Sequence, residues 1–369
     1  MTAVHVLAAG VDTVYASVRG ELWGGLLCVL RHMVELAAGE AVAFSFRSDG
    51  PDFLLRPHGW RGYPYWMSSP RFELCVGAAK PFPPVYVQMH APYLHLLGAE
   101  DAVGEVEEFL ATDIFHGPLE MLASRVDVYA DQQGWEPHHD DFHCFACRGV
   151  RRRMYEMSSQ LHASGRRLSG FTFGAGDVLA RVYDKTLEMQ TTGHSWQETV
   201  WADRDAERPV WRIEFQFRRE ALASFGIRTV ADALAARQGL WEYGTRWLSL
   251  RRPTRHTRRS RWPEAGVWTD VRAANLGSPR SELVRERVRL AEEVRLVRGF
   301  VGYATSLAAM GSARDLELSG VLARDVPAAR RYLGKRGVRF RDIVDEKRRR
   351  RIELSPPRRQ HRITTGDTR

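Results

Sequence analysis

Lysine is almost missing from this 369-residue chain: Lys80, Lys185, Lys335 and Lys347 stand against 50 arginines. Such a bias follows coding composition more than function, yet it sets Lys185 apart. Cysteine is scarce too. Four residues, Cys28, Cys75, Cys144 and Cys147, do not make a disulfide scaffold in a chain of this length. No apolar run reaches the roughly 18 to 20 residues that a bilayer span needs, so no membrane partner is expected. The first ten residues lack the basic start of a secretory signal, and the cytoplasm is the expected location. Internal repeats are lacking. What is present is an ordinary core-forming composition, 44% hydrophobic, enough for one large domain with an appendage or for two domains.

The net charge of +9 is unevenly spread. Residues 1–124 hold 14 acids against 7 bases, whereas Lys347–Arg369 holds 9 bases against 2 acids. Positive potential therefore lies in the central and C-terminal parts, where it suits a polyanion. The segment Arg251–Trp262 has six arginines and no acid. Its Arg251, Arg252, Arg255, Arg258, Arg259 and Arg261 are candidate phosphate contacts, and Trp262 could stack on an unpaired base. A mobile charged loop is the plainer alternative.

Alternation marks strands at Val11–Val18, within Ala41–Cys75, at Pro84–Met89 and at Leu168–Phe173. Helical spacing marks Leu22–Leu36, Tyr93–Leu110, Arg219–Phe225, Val230–Leu250 and Pro279–Met310, with shorter helices over Val326–Arg336 and Phe340–Arg350. Trp241, Tyr243 and Trp247 are expected in the core. Three further strands carry the chemistry: Arg125–Asp131, Leu179–Lys185 and Val210–Arg218. Side chains alternate across a strand. One face thus holds Asp127, Asp131, Arg181, Tyr183, Lys185, Arg212, Glu214 and Arg218. The other holds Val126, Val128, Val182, Trp211, Ile213, Phe215 and Phe217. Between the first two strands lies a loop with His138, His139, His143, Cys144 and Cys147. Cys144 and Cys147 could ligate zinc, but no second ligand pair stands at ordinary spacing.

Three stretches carry a family resemblance: Ser124–Asp131; Phe171–Asp177 with Ala180–Lys185; and Val210–Arg219. In type, order and approximate spacing the chain resembles the replication initiation factor family of rolling-circle plasmids, which includes relaxases of conjugative elements. The resemblance implies nicking of one DNA strand at an origin, with Tyr183 joined to the 5′ phosphate. It implies Mg²⁺ or Mn²⁺ held by Asp127 and Glu214, and a sheet related to that of the His-hydrophobic-His nucleases without their paired histidines. A homodimer, with host helicase and polymerase as further partners, also follows from it. Nothing carries over onto residues 277–369.

The residue types suit that chemistry. A tyrosine hydroxyl titrates near 10, so it needs help to attack a phosphodiester at neutral pH. Carboxylates are hard ligands that fit Mg²⁺ or Mn²⁺, with Asp131 ranked behind Asp127 and Glu214. Lys185 and Arg181 could stabilise charge on the phosphate, or could simply pair with Asp127 or Glu214. Arg212 and Arg218 are further DNA contacts. The expected architecture is α+β: an antiparallel-sheet nicking-joining domain over 1–276, a helical region over 277–346 and a basic, disordered tail over 347–369. A non-catalytic DNA-binding regulator of the same fold is the alternative. So is a zinc-containing interaction protein.

Overall fold

In the computed structural model, residues 4–47, 52–78, 82–149, 152–158, 166–193, 196–201, 203–283, 289–310 and 318–345 are described. The chain divides into two compact units, Met1–Arg287 and Val288–Arg369. The first is built on one antiparallel sheet. Its strands are β1 (His5–Leu22), β2 (Val42–Ser45), β3 (Asp52–Leu55), β4 (Tyr65–Ser68), β5 (Phe72–Val76), β6 (Val85–Met89), β7 (Phe115–Gln133), β9 (Arg152–Ser158), β10 (Arg166–Gly174), β11 (Val178–Asp184) and β12 (Trp211–Arg218). They lie in the order β2-β3-β4-β5-β6-β1-β7-β12-β11-β10-β9. The long strands β1 and β7 pair at the centre. On each side the chain runs out and returns so that its last strand, β6 or β12, pairs with the long one. The two halves, of six and five strands, are therefore wound alike about the β1–β7 pair, a likeness that the sequence does not display.

Binary patterning decides which face is covered. Val126, Val128, Val182, Ile213, Phe215 and Phe217 are buried, together with Val14, Leu74, Val85 and Val87 from the first half. Helices pack on this apolar face. Phe109 of α3 (Ala99–Phe109) meets Phe53 and Phe72. Trp241 and Tyr243 of α8 (Arg237–Trp247) meet Phe215 and Phe217. Gly244 brings that helix close, because a Cβ there would lie 2.6 Å from the Phe215 ring. Burying each large aromatic contributes on the order of 2–3 kcal/mol.

Several sequence expectations need revision. The helix expected over Tyr93–Leu110 is two helices, α2 (Ala91–Leu97) and α3, because Gly98 takes a positive φ of 87° between them. The first helix, α1, spans Leu26–Leu36, since β1 runs on to Leu22. Inside the expected loop after Asp131, the chain forms α4 (Asp141–Cys144) and β8 (Phe145–Cys147). β8 pairs with β13 (Leu248–Leu250), at the end of what appeared helical to Leu250. The first unit continues past Leu276: Gln238 bonds Leu276 and Ser278, and Arg237 bonds the Gly277 carbonyl.

The second unit contains α10 (Arg289–Met310) and α11 (Leu318–Lys335), the latter with Pro327 inside it. The expected helix from Pro279 is not helical over 279–283. The basic tail from Lys347 lies outside the described residues. No helix among the described residues is long and apolar enough to cross a membrane.

Candidate active site on the polar face of the sheet

The three chemistry-bearing strands are neighbours, in the order β7-β12-β11. Register sets Arg212 opposite Asp131, Glu214 opposite Tyr129 and Gln216 opposite Asp127. On the other side it sets Arg181 opposite Glu214 and Tyr183 opposite Arg212. Directly opposed residues share a face, so these side chains meet. Gly170 on β10 faces Tyr183.

The half-buried Tyr183 donates its hydroxyl hydrogen to Glu214 Oε2 at 3.2 Å. Arg181 donates to Glu214 Oε1 at 2.8 Å. Arg125 grips Asp127, with Nε at 2.8 Å from Oδ1. Of the two readings for Arg181, the free protein shows the ion pair with Glu214. Lys185 is not on the strand. It opens helix α5 (Lys185–Thr192), which Asp184 caps through the Leu187 amide. Its ammonium pairs with Glu188 at 2.7 Å and lies 5.7 Å from the Tyr183 ring centre.

Burial raises the Tyr183 pKa well above 10, and the Glu214 charge adds to this. Glu214 is raised by burial and by Asp12, against Arg181 and Arg212. Asp127 is pushed up to about 7 by burial, with Glu214 and Asp12 adding to it against Arg125. Burial also works against charge on Asp12, but Arg212 and Lys185 outweigh it and hold that carboxyl below its usual range.

Two expected roles change. Arg212, expected on DNA, is 1% exposed. Its guanidinium bonds both oxygens of Asp131, at 2.6 and 2.7 Å, reaches Asp12, and lies 4.0 Å from the Tyr129 ring centre. Asp131 was a second-rank metal ligand by sequence. It has both oxygens bound by Arg212, and Oδ2 also accepts from Trp201 Nε1 at 2.9 Å. The pair is an internal brace under Tyr183. Breaking one side of such a buried pair costs about 3–5 kcal/mol.

Arg218 is exposed at the end of β12, opposite Arg125. Arg252, Arg255, Arg258 and Arg261 are exposed, while Arg251 and Arg259 are half-buried. Their loop closes through an Arg251–Glu264 bridge, and Trp262 is pinned by donating to the His256 carbonyl. Arg251 caps the β8–β13 layer through the Cys144 carbonyl. Phe145 of that layer packs on Phe171 and Phe173, on the apolar side of the sheet. None of these partners belongs to the Tyr183 site.

Sequence reasoning missed five residues. Asp12 is the extra residue of a bulge, between Val11 opposite Val128 and Thr13 opposite Asp127. Bulges re-aim side chains, and no pattern in the sequence marks one here. Arg125 and Gln216 were legible, since each alternates with a named site residue. Gln216 Oε1 accepts from Arg181, and its buried Nε2 finds no partner among the described residues. Tyr129 bonds His95 Nδ1 at 3.1 Å. Burial, then Arg212, lowers the His95 pKa to about 4.

Among the described residues no group of three or more His, Cys, Asp or Glu side chains could hold a metal ion. That leaves Cys144 and Cys147 without a zinc set. Mg²⁺ asks for less: it commonly takes one or two carboxylates and completes its shell with water and substrate phosphate. Asp127 and Glu214 are two buried carboxylates, and the charge of Glu214 raises the pKa of Asp127. A divalent cation would relieve that repulsion, but Arg125 holds both Asp127 oxygens and Arg181 and Tyr183 hold those of Glu214, so the pair fits Mg²⁺ or Mn²⁺ as a half-site only with those partners turned away.

No family model matches the chain, and no curated protein does. Among solved structures, the chain is similar to the rolling circle replication initiator protein from Geobacillus stearothermophilus. The identity is 17% and the TM-score 0.44, over 76% of this chain and 100% of that one.

Proposed function

We propose that the chain nicks and rejoins single-stranded DNA through a phosphotyrosine at Tyr183, as an initiator of rolling-circle replication or a relaxase. The observation that carries this is the Tyr183 hydroxyl donating to Glu214 with Arg181 on the same carboxylate. A tyrosine whose pKa is raised attacks only if its proton leaves as it reacts. Glu214 is placed to take it. In the proposed step Tyr183 Oη bonds to phosphorus, its proton passes to Glu214 Oε2, and the bond from phosphorus to the 3′ oxygen breaks. The 3′ oxygen then takes a proton from solvent, leaving a 5′-phosphotyrosine. Reversal of the step rejoins the strand.

Arg181 is within reach of both Glu214 and Gln216. Once Glu214 accepts the proton, its hold on Arg181 weakens and the guanidinium is released toward the phosphate, where charge is growing. Lys185 adds positive charge beside the nucleophile. Asp127 and Glu214 would hold Mg²⁺ or Mn²⁺, which when bound makes phosphorus more electrophilic.

The direct test is incubation with DNA carrying the chain's own gene and flanks. The wild-type chain should form a covalent protein–DNA adduct. Tyr183→Phe should lose the adduct and keep DNA binding. Binding by the wild-type chain with no adduct under Mg²⁺ or Mn²⁺ would favour the non-catalytic regulator.

A further inference from the structure

The first half of the sheet carries, on the same face as Tyr183, a row of rings and guanidinium groups that the proposed chemistry does not use. Register places Arg125 opposite Tyr15 and sets Ser17 opposite Tyr86, so β7, β1 and β6 share this face. Cys75 stands opposite both Tyr86 and Trp66, which extends the face to β4. Arg61 sits at its centre. Its guanidinium carbon is 4.3 Å from the Trp60 ring centre, 4.9 Å from Tyr15 and 5.2 Å from Tyr86. Trp60 and Trp66 lie 5.4 Å apart, and Tyr15 and Tyr86 lie 6.1 Å apart. None of Trp60, Trp66 and Tyr86 is fully buried, and Arg61 is exposed.

The turn that presents Arg61 is unusual. Trp60 and Tyr63 exchange both backbone hydrogen bonds, at 3.0 and 2.9 Å, around Arg61 and Gly62. Arg61 has φ +54° and Gly62 +86°. A type I′ turn favours Asn, Asp or Gly at the first position. An arginine held there places a planar cation over three rings at a cost in backbone strain.

The row also runs into the candidate site. Arg125 lies 4.7 Å from the Tyr15 ring centre and donates to its hydroxyl at 3.3 Å, while its other nitrogens hold Asp127. Stacking rings beside cations, on a sheet face leading to a phosphate-chemistry site, match one occupant by shape and charge. Bases stack on aromatic faces whatever their sequence, and guanidinium groups track the phosphates between them.

We propose that Trp60, Trp66 and Tyr86, with Arg61 between them, bind the unpaired strand that leads to Tyr183. In the free protein the Arg61 guanidinium covers the rings. When a strand binds, bases take its place and Arg61 turns to a phosphate. The half-sheet on one side of the β1–β7 pair then grips the strand that the other half cuts. The inference rests on the proposed nicking function for its direction toward Tyr183, but not for binding itself.

The test is fluorescence titration of the full chain with a single-stranded oligothymidylate and with a duplex of the same length. Wild-type and Tyr183→Phe chains should bind the single strand equally and quench tryptophan emission. Trp60→Leu should bind about tenfold or more weakly. Arg61→Gln should bind more weakly, and with a shallower dependence on salt by about 0.7 in slope. Trp66→Leu offers a second substitution away from the turn, and should weaken binding as Trp60→Leu does. Unchanged binding in the two tryptophan variants, equal affinity for duplex, or no binding by the wild-type chain would overturn the proposal. If Tyr183→Phe retained the covalent adduct while the titrations behaved as stated, the nicking assignment would fail and the strand site would stand.

Discussion

Glu214 is buried yet shares a proton with Tyr183 and an ion pair with Arg181, so its worth lies in what it can exchange. Asp127 beside it has a carboxyl pushed up to about 7 by burial. Its unfolded value is near 3.9. A carboxyl raised in this way favours the fold fully below the unfolded value, and loses that contribution as pH rises through about 7. Asp127→Asn is therefore expected to gain stability relative to wild type between about pH 5 and about pH 8, by on the order of 2 kcal/mol. Urea unfolding at the two pH values measures this, apart from any constant cost of the lost Arg125 pair. A gain that shrank toward high pH would show Asp127 to be an ordinary ion-paired acid. Tyr183, Arg181 and Glu214 were legible at this scale because each alternates with apolar neighbours whose burial fixes its face. Arg212 was misjudged for a related reason. Alternation gives the face of a charged residue, but not whether a partner such as Asp131 or Asp12 already holds it.

Strand pairing turns those separate residues into a site, and Gly170 shows how tight the pairing is. A Cβ there would lie 2.6 Å from the Val182 carbonyl oxygen and 2.8 Å from the Tyr183 Cβ. Gly170→Ala should push β11 away and misplace the hydroxyl. Adduct formation should fall by about a hundredfold while circular dichroism still shows a folded chain. Retention of full activity would mean that Tyr183 tolerates movement the proposed geometry forbids. The strands β11 and β12 were legible from period-two alternation, and β10 was placed nearly as well. Asp12 was not, since a bulge depends on two strands meeting out of step. The break at Gly98 was signalled by a glycine, the residue that takes the positive φ of 87° found there without strain.

At the scale of the molecule, one sheet is organised around the β1–β7 pair, and all the proposed chemistry lies within Met1–Arg287. A chain ending at residue 287 should therefore still form the adduct, with any loss confined to DNA affinity. Gel analysis of adduct yield at saturating DNA checks this, and loss of the adduct at saturation would tie the chemistry to residues 288–369. Charge along the chain and position on the sheet pick out different segments. The acidic N-terminal third holds Arg61 among its aromatic rings, whereas the arginine-rich loop from Arg251 joins the layer on the apolar side. Composition sums over a segment, while a sheet face selects every second residue of several segments.

The most decisive measurement is mass spectrometry of the digested protein after reaction with single-stranded DNA from its own gene neighbourhood. A nucleotide-bearing peptide spanning Val178–Lys185, modified at Tyr183, is the expected result. A nucleotide on any other residue, or none despite cleaved DNA, would contradict the assignment of Tyr183 as the nucleophile.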